Sequence, residues 1–418
     1  IVFRTIDTEI TSILENTEIH MIIESNPDGR AIAEDNRNLL WRKNTRLGCS
    51  FNNSYLNKGV DLNRNFPFKW GLNSGSSGSN CQSTYRGTSA ASEPEVRAII
   101  NYNIYAESVF PESQRKANPI AQIDDPYPDD STVGVFYDIH AYGNLVIWPW
   151  SFENRYTANE DSLQAFARKL KSFNNYALVG PNQPDFLYPA SGVTDDYFYG
   201  ALGAAAFTYE LGTSFYQDCS TFENYINPDN QPGFMYTDKV STKPYRLVKG
   251  PDITNLSVQS TINYHPTTNF GISVTVSDSA LSSGPGNYPS STQDIASISF
   301  YADMHPYDID SNGDGPQTVT LPAGSNSGTA TKQVVVPLST VAPFLRAPLI
   351  GEHVLYAEGT DDNGFTGPVM AVSFTITCND VPSFPVRGID RDCDWIVSKG
   401  LCSNIQAQVV CPSTCDIC

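Results

Sequence analysis

The sequence predicts an α/β domain followed by two smaller domains, because its pattern of apolar residues changes twice along the chain. Before about residue 248, short apolar runs such as "VGVFYDI" and "AAAFTYEL" alternate with helical patterns such as "EDSLQAFARKLKSFNNY", as in a sheet covered by helices. From 249 to 377, strand-like runs separated by turn residues replace the helices. The last 41 residues hold six of the nine cysteines. We therefore expect domains at 1–248, 249–377 and 378–418.

The runs of the first domain are apolar on both faces, and "IHMII" near the N-terminus is another of them. Such strands belong to largely parallel or mixed sheets, with helices in patterns such as "SEPEVRAIINYNIYAE". In the second domain, the runs "FGISVTVSD", "IASISFYAD", "TKQVVVPL", "HVLYAEGTDD" and "VMAVSFTIT" predict an antiparallel β-sandwich that resembles an immunoglobulin-like module. The last domain is too small for its own apolar core and needs disulfides.

Charge and cysteine content limit the classes of function. A formal net charge of -19 and a pI near 4.5 repel nucleic-acid phosphates and anionic lipids, so we expect neither as a partner. No run approaches the roughly 18 apolar residues that span a membrane, so a soluble chain is expected. The dense terminal cysteines predict a disulfide framework made in an oxidising compartment. The sequons at Asn52 and Asn255 fit a secreted glycoprotein.

His140, at the end of the run "GVFYDIH", is the first candidate for chemistry. The alternative is a hydrogen-bonded core residue, which is the commoner role of a lone histidine beside a buried strand. Asp138 and His140 share one face of this strand, and open α/β sheets place their ligands at the carboxyl ends of strands. The position therefore suits a metal ligand, and other residues must decide between the two roles.

Seven short motifs of the first domain occur in this order: "NPDG", "LWRKNTR", "GVDLNRNF", "TYRGTSAASEPE", "GVFYDIHAYG", "YPASGVTDDYFYG" and "FTYELG". At these intervals the set resembles the M14 family of zinc carboxypeptidases over about 245 residues. The resemblance implies the mixed sheet of that family, a zinc cofactor and the removal of C-terminal residues from peptides or proteins.

Such an enzyme must hold the terminal carboxylate, activate water against an amide and stabilise the oxyanion that forms. The resemblance assigns the carboxylate to Asn63 and Arg64 of "LNRN", with Tyr188 closing over it. It assigns the general base to Glu210 of "FTYEL". Taken alone, Glu210 fits equally well as a strand-end carboxylate in an ion pair.

The arginine that stabilises the oxyanion is Arg46 or Arg42. The family has this arginine directly after "WRKN" or "WRKT", whereas Thr45 intervenes in this chain. The distance of 17 positions from Arg46 to Asn63 matches the family spacing, so Arg46 is the first choice and Arg42 the second. A plain surface position is the alternative for either.

The resemblance implies zinc bound by His140 and by an "HxxE" pair earlier in the domain. No such pair precedes His140 in the sequence, and catalytic zinc needs about three protein ligands. We expect the other two ligands upstream of Ile1, because the family segment that carries them also supplies a central strand of the sheet. The alternative is an inactive extracellular scaffold for adhesion or assembly. The presence of Arg64, Tyr188 and Glu210 favours the enzyme.

Two further positions bear on ligands. Asp195 of "TDDYFYG" stands where the family has the base of its specificity pocket, and a carboxylate there would attract a C-terminal Lys or Arg. The alternative is a carboxylate that points away or is capped by its neighbours. In "DIDSNGDG", the oxygen-bearing side chains at alternate positions resemble the first half of a calcium loop, but Val319 replaces its final glutamate, so an ordinary turn is the alternative. The calcium candidates are Asp308, Asp310 and Asn312.

The cysteines predict several disulfides. Cys49 and Cys81 flank "GVDLNRNF" and can close one loop. Cys219 is left over, so we expect either a partner in the upstream segment or a buried free thiol. The last domain, with "CDWI" and "CPSTCDIC", resembles the ShK-toxin-like modules that act in interaction or tethering. That resemblance implies the pairs Cys378–Cys418, Cys393–Cys411 and Cys402–Cys415.

Overall fold

The computed structural model of the chain separates into two compact units, one within 16–249 and 280–291, the other within 1–15, 250–279 and 292–418. The chain passes from the first unit to the second between residues 249 and 250. The residues that the structure describes are 7–35, 40–46, 48, 58–72, 75–105, 110, 128, 131–181, 188–263, 269–282, 292–309, 315–325, 328–337, 345, 350–378, 384–386 and 389–391.

The first unit contains a mixed sheet of four described strands. Their order is β1-β4-β2-β3. The pairs β1–β4 and β2–β3 are parallel, whereas β2–β4 is antiparallel, which confirms the predicted mixed sheet. The strands are β1 (Val135–His140), β2 (Leu145–Ile147), β3 (Ala177–Val179) and β4 (Ala205–Glu210).

Helices pack against this sheet, and the two predicted from the patterns "SEPEVRAIINYNIYAE" and "EDSLQAFARKLKSFNNY" are confirmed as α3 and α4. In α4, Leu163, Phe166 and Leu170 recur at helical spacing and are buried. Phe166 contacts Phe207 of β4, with ring centroids 4.9 Å apart, and each such buried side chain contributes roughly 1.5–3 kcal/mol. The helices of the chain are α1 (Thr8–Asn16), which lies almost wholly in the second unit, α2 (Pro27–Asp35), α3 (Pro94–Tyr105), α4 (Glu160–Asn174), α5 (Thr194–Leu202), α6 (Cys219–Thr221), α7 (Asn227–Val240) and α8 (Pro244–Leu247).

The apolar run "IHMII" does not form the predicted strand. Residues 17–26 lie between α1 and α2 without strand structure, and the side chains of Met21 and Ile23 are 77% and 94% exposed. A strand needs a neighbour for its backbone N–H and C=O groups. No described strand pairs with this run, and β1, at the edge of the described sheet, pairs only with β4.

The second unit contains two larger sheets. One has the order β10-β7-β5 and the other β6-β12-β11-β8-β9, and their pairs are antiparallel except for β6–β12. They share one hydrophobic core, in which Phe270, Ile298 and Ile376 are buried. The five predicted strand runs of this region are confirmed. The strands are β5 (Asp252–Val258), β6 (Thr261–Asn263), β7 (Asn269–Ser277), β8 (Ile295–Ala302), β9 (Thr318–Ser325), β10 (Thr329–Pro337), β11 (Gly351–Asp361), β12 (Met370–Thr377), β13 (Phe384–Val386) and β14 (Ile389–Arg391).

Cys81 and Cys378 each take part in a disulfide bond. Cys219 is a free thiol that is exposed on the surface, not buried. Of the calcium candidates, Asp308 is described and exposed. Within the described residues, no helix combines the length and apolar character needed to cross a membrane. The remaining predicted positions lie outside the described residues: Asp310, Asn312, Cys49, Asn52, Cys393, Cys402, Cys411, Cys415 and Cys418.

Candidate active site

A cavity of about 220 Å³ opens at the carboxyl ends of β1 and β4. In the parallel pair, His140 is the register partner of Glu210, so both side chains reach the same edge of the sheet. Of the catalytic, substrate-binding and metal-ligand candidates that the sequence singled out in the first domain, all but Arg46 line this cavity. They are Arg42, Asn63, Arg64, His140, Tyr188, Asp195 and Glu210.

The exception is Arg46, whose place in the cavity is taken by Arg42. Arg46 donates to Glu93 over 2.5 Å and does not line the cavity, whereas Arg42 does. The guanidinium of Arg42 forms an ion pair of 2.9 Å with the buried Asp61. The charge of Asp61 raises the pKa of Arg42. Arg42, the second choice from the sequence, therefore faces the cavity, and Arg46, the first choice, does not.

His140 is held through one ring nitrogen. Its Nε2 lies 2.8 Å from a carboxylate oxygen of Asp138, on the same face of β1. Burial alone would raise the pKa of Asp138, but the charge and hydrogen bond of His140 lower it. Burial opposes a charge on the imidazole as well, yet Asp138 raises the pKa of His140 to about 9. The two groups therefore form an ion pair at neutral pH when no metal is bound.

Asn63 and Arg64 are held in place by hydrogen bonds to the backbone. The carbonyl oxygen of the Asn63 side chain accepts a hydrogen bond of 2.9 Å from the backbone N–H of Thr194. This contact fixes the amide orientation, so that its NH₂ group faces His140 Nε2 at 3.3 Å. Arg64 donates through Nε to the carbonyl of Gly75 over 2.8 Å. Both side chains are thus positioned before any ligand arrives.

The first turn of α5 contributes a second carboxylate, that of Asp195, to the cavity that Glu210 also lines. One oxygen of Asp195 accepts the Ser151 hydroxyl over 2.9 Å and the other accepts the backbone N–H of Asp196 over 2.9 Å. Asp196 in turn binds the backbone N–H groups of Ser151 and Phe152, which fixes the loop after β2. Asp195 is only 2% exposed, and this burial raises its pKa to about 6. Asp195 lines the cavity, and both oxygens of its carboxylate are capped by these neighbours.

Glu210 has no hydrogen-bonded ion-pair partner of its own among the described side chains of the site. Burial raises its pKa, while the nearby charges of His140 and Arg42 lower it in part. A carboxylate whose pKa lies above its usual value accepts protons more readily near neutral pH, as a general base must. The ion-pair alternative for Glu210 is therefore not what the described geometry shows.

Comparison with known proteins identifies the family of the chain. Residues 3–234 match the profile of the family described as "Zinc carboxypeptidase". The chain belongs to the M14 zinc carboxypeptidase family. Its relatives include carboxypeptidase A1 of Bos taurus, which is 30% identical over 209 residues, and zinc carboxypeptidase A 1 of Anopheles gambiae, which is 28% identical over 231 residues.

These alignments cover part of each M14 relative. They take in 49% of this chain and 43% of the bovine protein, and 54% of this chain and 45% of the mosquito protein. The chain thus spans less than half the length of these two relatives. Among solved structures, that of thrombin-activatable fibrinolysis inhibitor matches with 24% identity and a TM-score of 0.44, over 57% of this chain and 56% of the other.

Members of the M14 family are zinc enzymes, and the described residues offer one part of such a metal site. His140 lines the cavity beside Glu210, and an imidazole is a common zinc ligand. Among the residues that the structure describes, no three His, Cys, Asp or Glu side chains cluster closely enough to hold a metal ion. His140 therefore fits one ligand position, and the described part of the chain does not complete the site.

Four residues that line the cavity or contact its lining were not singled out from the sequence. Trp148 and Trp150 form apolar walls of the cavity, and Ser151 and Thr194 bind its carboxylates and amide. The run "WPWS" directly after a short apolar strand, next in space to "TDD", was the available signal. Its meaning depends on which loops meet at the carboxyl edge of the sheet, and that is a property of the fold.

Proposed function

We propose that this protein is a metallocarboxypeptidase that removes single residues from the C-termini of peptides and proteins. The observation that supports the proposal is the convergence of two different kinds of group on one cavity. Asn63 and Arg64 offer N–H donors to a terminal carboxylate, and Glu210 offers a base. A carboxypeptidase needs the carboxylate donors and the base about one residue's length apart, because the bond that it cleaves lies one residue from the terminal carboxylate.

In this proposal, the carboxylate of the last residue binds to the guanidinium of Arg64 and the amide of Asn63. A planar guanidinium can present two N–H groups to two oxygens, which a lysine cannot. Tyr188 stands at the rim, with 55% of the residue exposed, and can donate its hydroxyl to the same carboxylate. The terminal carboxylate thereby fixes the position of the last peptide bond.

Glu210 then accepts a proton from the attacking water and returns it to the leaving amine. Arg42 donates to the oxyanion that develops on the carbonyl oxygen, and Asp61 holds its guanidinium in place. Zinc, when bound, supplies Lewis acidity toward water and carbonyl oxygen. Arg42 takes the oxyanion role in this proposal because it lines the cavity, whereas Arg46 does not.

The preferred terminal residues are Lys and Arg. The side-chain pocket combines the aromatic walls of Trp148 and Trp150 with the carboxylate of Asp195. The apolar walls suit the methylene stem of a basic side chain, and the carboxylate suits its charged end. At neutral pH, above the pKa of about 6, Asp195 is mostly ionised.

The setting of the enzyme is proposed to be extracellular, with N-linked glycans. Asn255 is exposed on β5, as a glycosylation acceptor must be. The second unit is proposed to be an immunoglobulin-like sandwich, because two mostly antiparallel sheets share its core. The cysteine-rich end is proposed to be a ShK-like module for tethering.

The test is the release of amino acids from synthetic peptides by the purified protein carrying its complete N-terminus, supplied with zinc. We expect C-terminal Lys or Arg to be released, a C-terminally amidated copy to be untouched, and a zinc chelator to stop the reaction. Release of internal fragments, or equal cleavage of the amidated copy, would contradict a carboxypeptidase.

A second candidate is an inactive carboxypeptidase-like scaffold. It is favoured by the single histidine ligand found among the described residues. Sequencing of the intact N-terminus separates the two, because an upstream "HxxE" favours the enzyme. A complete N-terminus without histidine or glutamate ligands, together with the absence of bound zinc, would favour the scaffold.

A further inference from the structure

Asp138 lies two residues before His140 on β1 and contacts its ring. Its Oδ2 atom is 2.8 Å from Nε2 of the imidazole. The same oxygen accepts the hydroxyl of Thr194, a residue that is 5% exposed. One carboxylate oxygen therefore receives two hydrogen bonds, one from the histidine ring and one from the first turn of α5.

The direction of the contact with His140 follows from the donors present. The Thr194 hydroxyl already donates to Asp138 Oδ2, and a carboxylate is an acceptor-only group in its ionised form. Nε2 must therefore carry the hydrogen and donate it. The Asn63 NH₂ group at 3.3 Å from Nε2 is then a neighbouring donor, and its hydrogens stay available to a ligand in the cavity.

The other ring nitrogen has no such contact. Both contacts of the His140 ring go to Nε2, and within the described residues nothing hydrogen-bonds to Nδ1. His140 lines the cavity and is in register with Glu210. A ring anchored through Nε2 presents Nδ1 as the nitrogen that can bind a metal ion, with loss of any proton held there.

We propose that Asp138, itself oriented by Thr194, is a positioning residue that holds the His140 ring through Nε2 and leaves Nδ1 to bind zinc. The inference rests on the proposed function, since it concerns the same metal. Histidine ligands of metals generally donate their second N–H to a carboxylate or carbonyl, which fixes the ring and strengthens it as a ligand. Here the carboxylate comes from the same strand as the ligand.

Thr194 extends this arrangement to the part of the cavity that binds the substrate. Its backbone N–H binds Asn63, and its hydroxyl binds Asp138. The N-terminus of α5 thus orients both the amide proposed to bind the substrate carboxylate and the carboxylate that holds the metal ligand. A single residue sets the spacing between the two.

The first test needs no metal. The proton NMR spectrum of the metal-free chain should show a strongly deshielded imidazole N–H signal, as expected for a ring that donates to a carboxylate. His140→Ala should abolish the signal and so assign it. Asp138→Asn and Asp138→Ala should remove it or move it upfield, and Thr194→Val should shift it. Ser151→Ala, which alters a cavity residue bonded to Asp195 instead, should leave it in place.

The second test measures zinc affinity in the protein with its complete N-terminus, by competition with a chelating dye. Asp138→Asn should weaken zinc binding about 10- to 100-fold, and Ser151→Ala should not. Far-UV circular dichroism reports whether each variant folds, and Thr194→Val keeps the inference testable if both Asp138 variants unfold. An unchanged N–H signal and unchanged affinity in a folded Asp138 variant would overturn the inference. An Asp138-dependent signal in a complete protein that binds no zinc would support the positioning and overturn the proposed function.

Discussion

His140 and Glu210 occupy matching positions in the parallel strands β1 and β4. The pairing continues one residue further, where the N–H of Leu211 donates to the carbonyl of His140 over 2.8 Å. The distance between the proposed metal ligand and the proposed base is therefore set by strand pairing in the sheet. Loops supply the remaining groups, but these two depend on the most regular part of the first unit.

The proposed base gives the first prediction. Glu210→Gln keeps the size of the side chain and removes its capacity to accept a proton, so the rate of peptide cleavage should fall about 10²- to 10⁴-fold. Thermal unfolding should change little or shift upward, because the burial that raises the pKa of Glu210 shows that its charge is poorly solvated. Cleavage of a peptide ending in Lys by the variant at the wild-type rate would exclude Glu210 as the base.

The two arginines provide a matched pair of variants. Arg42→Ala should lower kcat about 10²- to 10³-fold if Arg42 stabilises the oxyanion. Arg46→Ala should keep kcat and instead reduce the free energy of unfolding by about 1–2 kcal/mol, because it leaves the buried Glu93 without its cation. This is less than for a fully buried pair, since the Arg46 side chain is 43% exposed. A loss of kcat in Arg46→Ala, with kcat retained in Arg42→Ala, would assign the oxyanion role to Arg46.

The positions of these two arginines show which features of the site the sequence predicts and which it does not. Both lie in "WRKNTR", and the pattern of residue types predicts that one of them serves the site. Which one does so depends on the path of the chain around Asp61 and Glu93, which are distant in sequence. Motif spacing cannot identify the arginine that lines the cavity. Spacing counts residues along the chain, whereas the cavity is formed by segments that are far apart in sequence.

The mixed sheet and the five strand runs of the second unit were predictable because their signal lies in the local order of residues. Period-two and continuous apolar patterns report burial locally, and a strand that finds partners forms as expected. The run "IHMII" has the same local pattern without a described partner strand, and its side chains are exposed. A strand is a property of at least two segments, so one segment alone cannot decide it.

Asp195 predicts a dependence of stability on pH. Its pKa is about 6 in the folded protein, against about 3.9 in an unfolded chain. The folded state therefore binds more protons between these values, and the contribution of Asp195 to stability decreases as pH rises from about 4 to about 6. Above that range, the buried charge costs on the order of 2–3 kcal/mol.

Asp195→Asn should therefore gain stability relative to the unmodified protein as pH rises from 4 to 7. The difference in the free energy of unfolding, measured by urea denaturation at each pH, should level off above about pH 7. Ser151→Ala, which removes one hydrogen bond to the charged form, should increase the same dependence. A difference that stays constant between pH 4 and pH 7 would show that Asp195 is not desolvated.

The exposed sequon on β5 predicts a glycan at Asn255. Asn255 and Ser257 are both exposed, on the edge strand of the described β10-β7-β5 sheet. Protein expressed through a secretory pathway should lose mass when treated with a peptide N-glycosidase. Asn255→Gln and Ser257→Ala should each remove one glycan, whereas Ser257→Thr should retain it. A glycan would also shield the open edge of β5, so the unglycosylated variants should associate more readily in light scattering.

The last prediction concerns the choice of terminal residue. Asp195 lies among apolar cavity walls that include Val193 and Trp150, so its carboxylate is the group that would distinguish a charged side chain from an apolar one. Asp195→Ile should lower kcat/KM for a peptide ending in Lys by at least about 10²-fold, since a charge would then be buried without a partner. The same variant should accept a peptide ending in Leu better than the unmodified enzyme does. Paired assays with the two peptides at pH 7.5, above the pKa of Asp195, measure this exchange. Equal rates on the Lys and Leu peptides in the unmodified enzyme would show that Asp195 does not select the terminal residue.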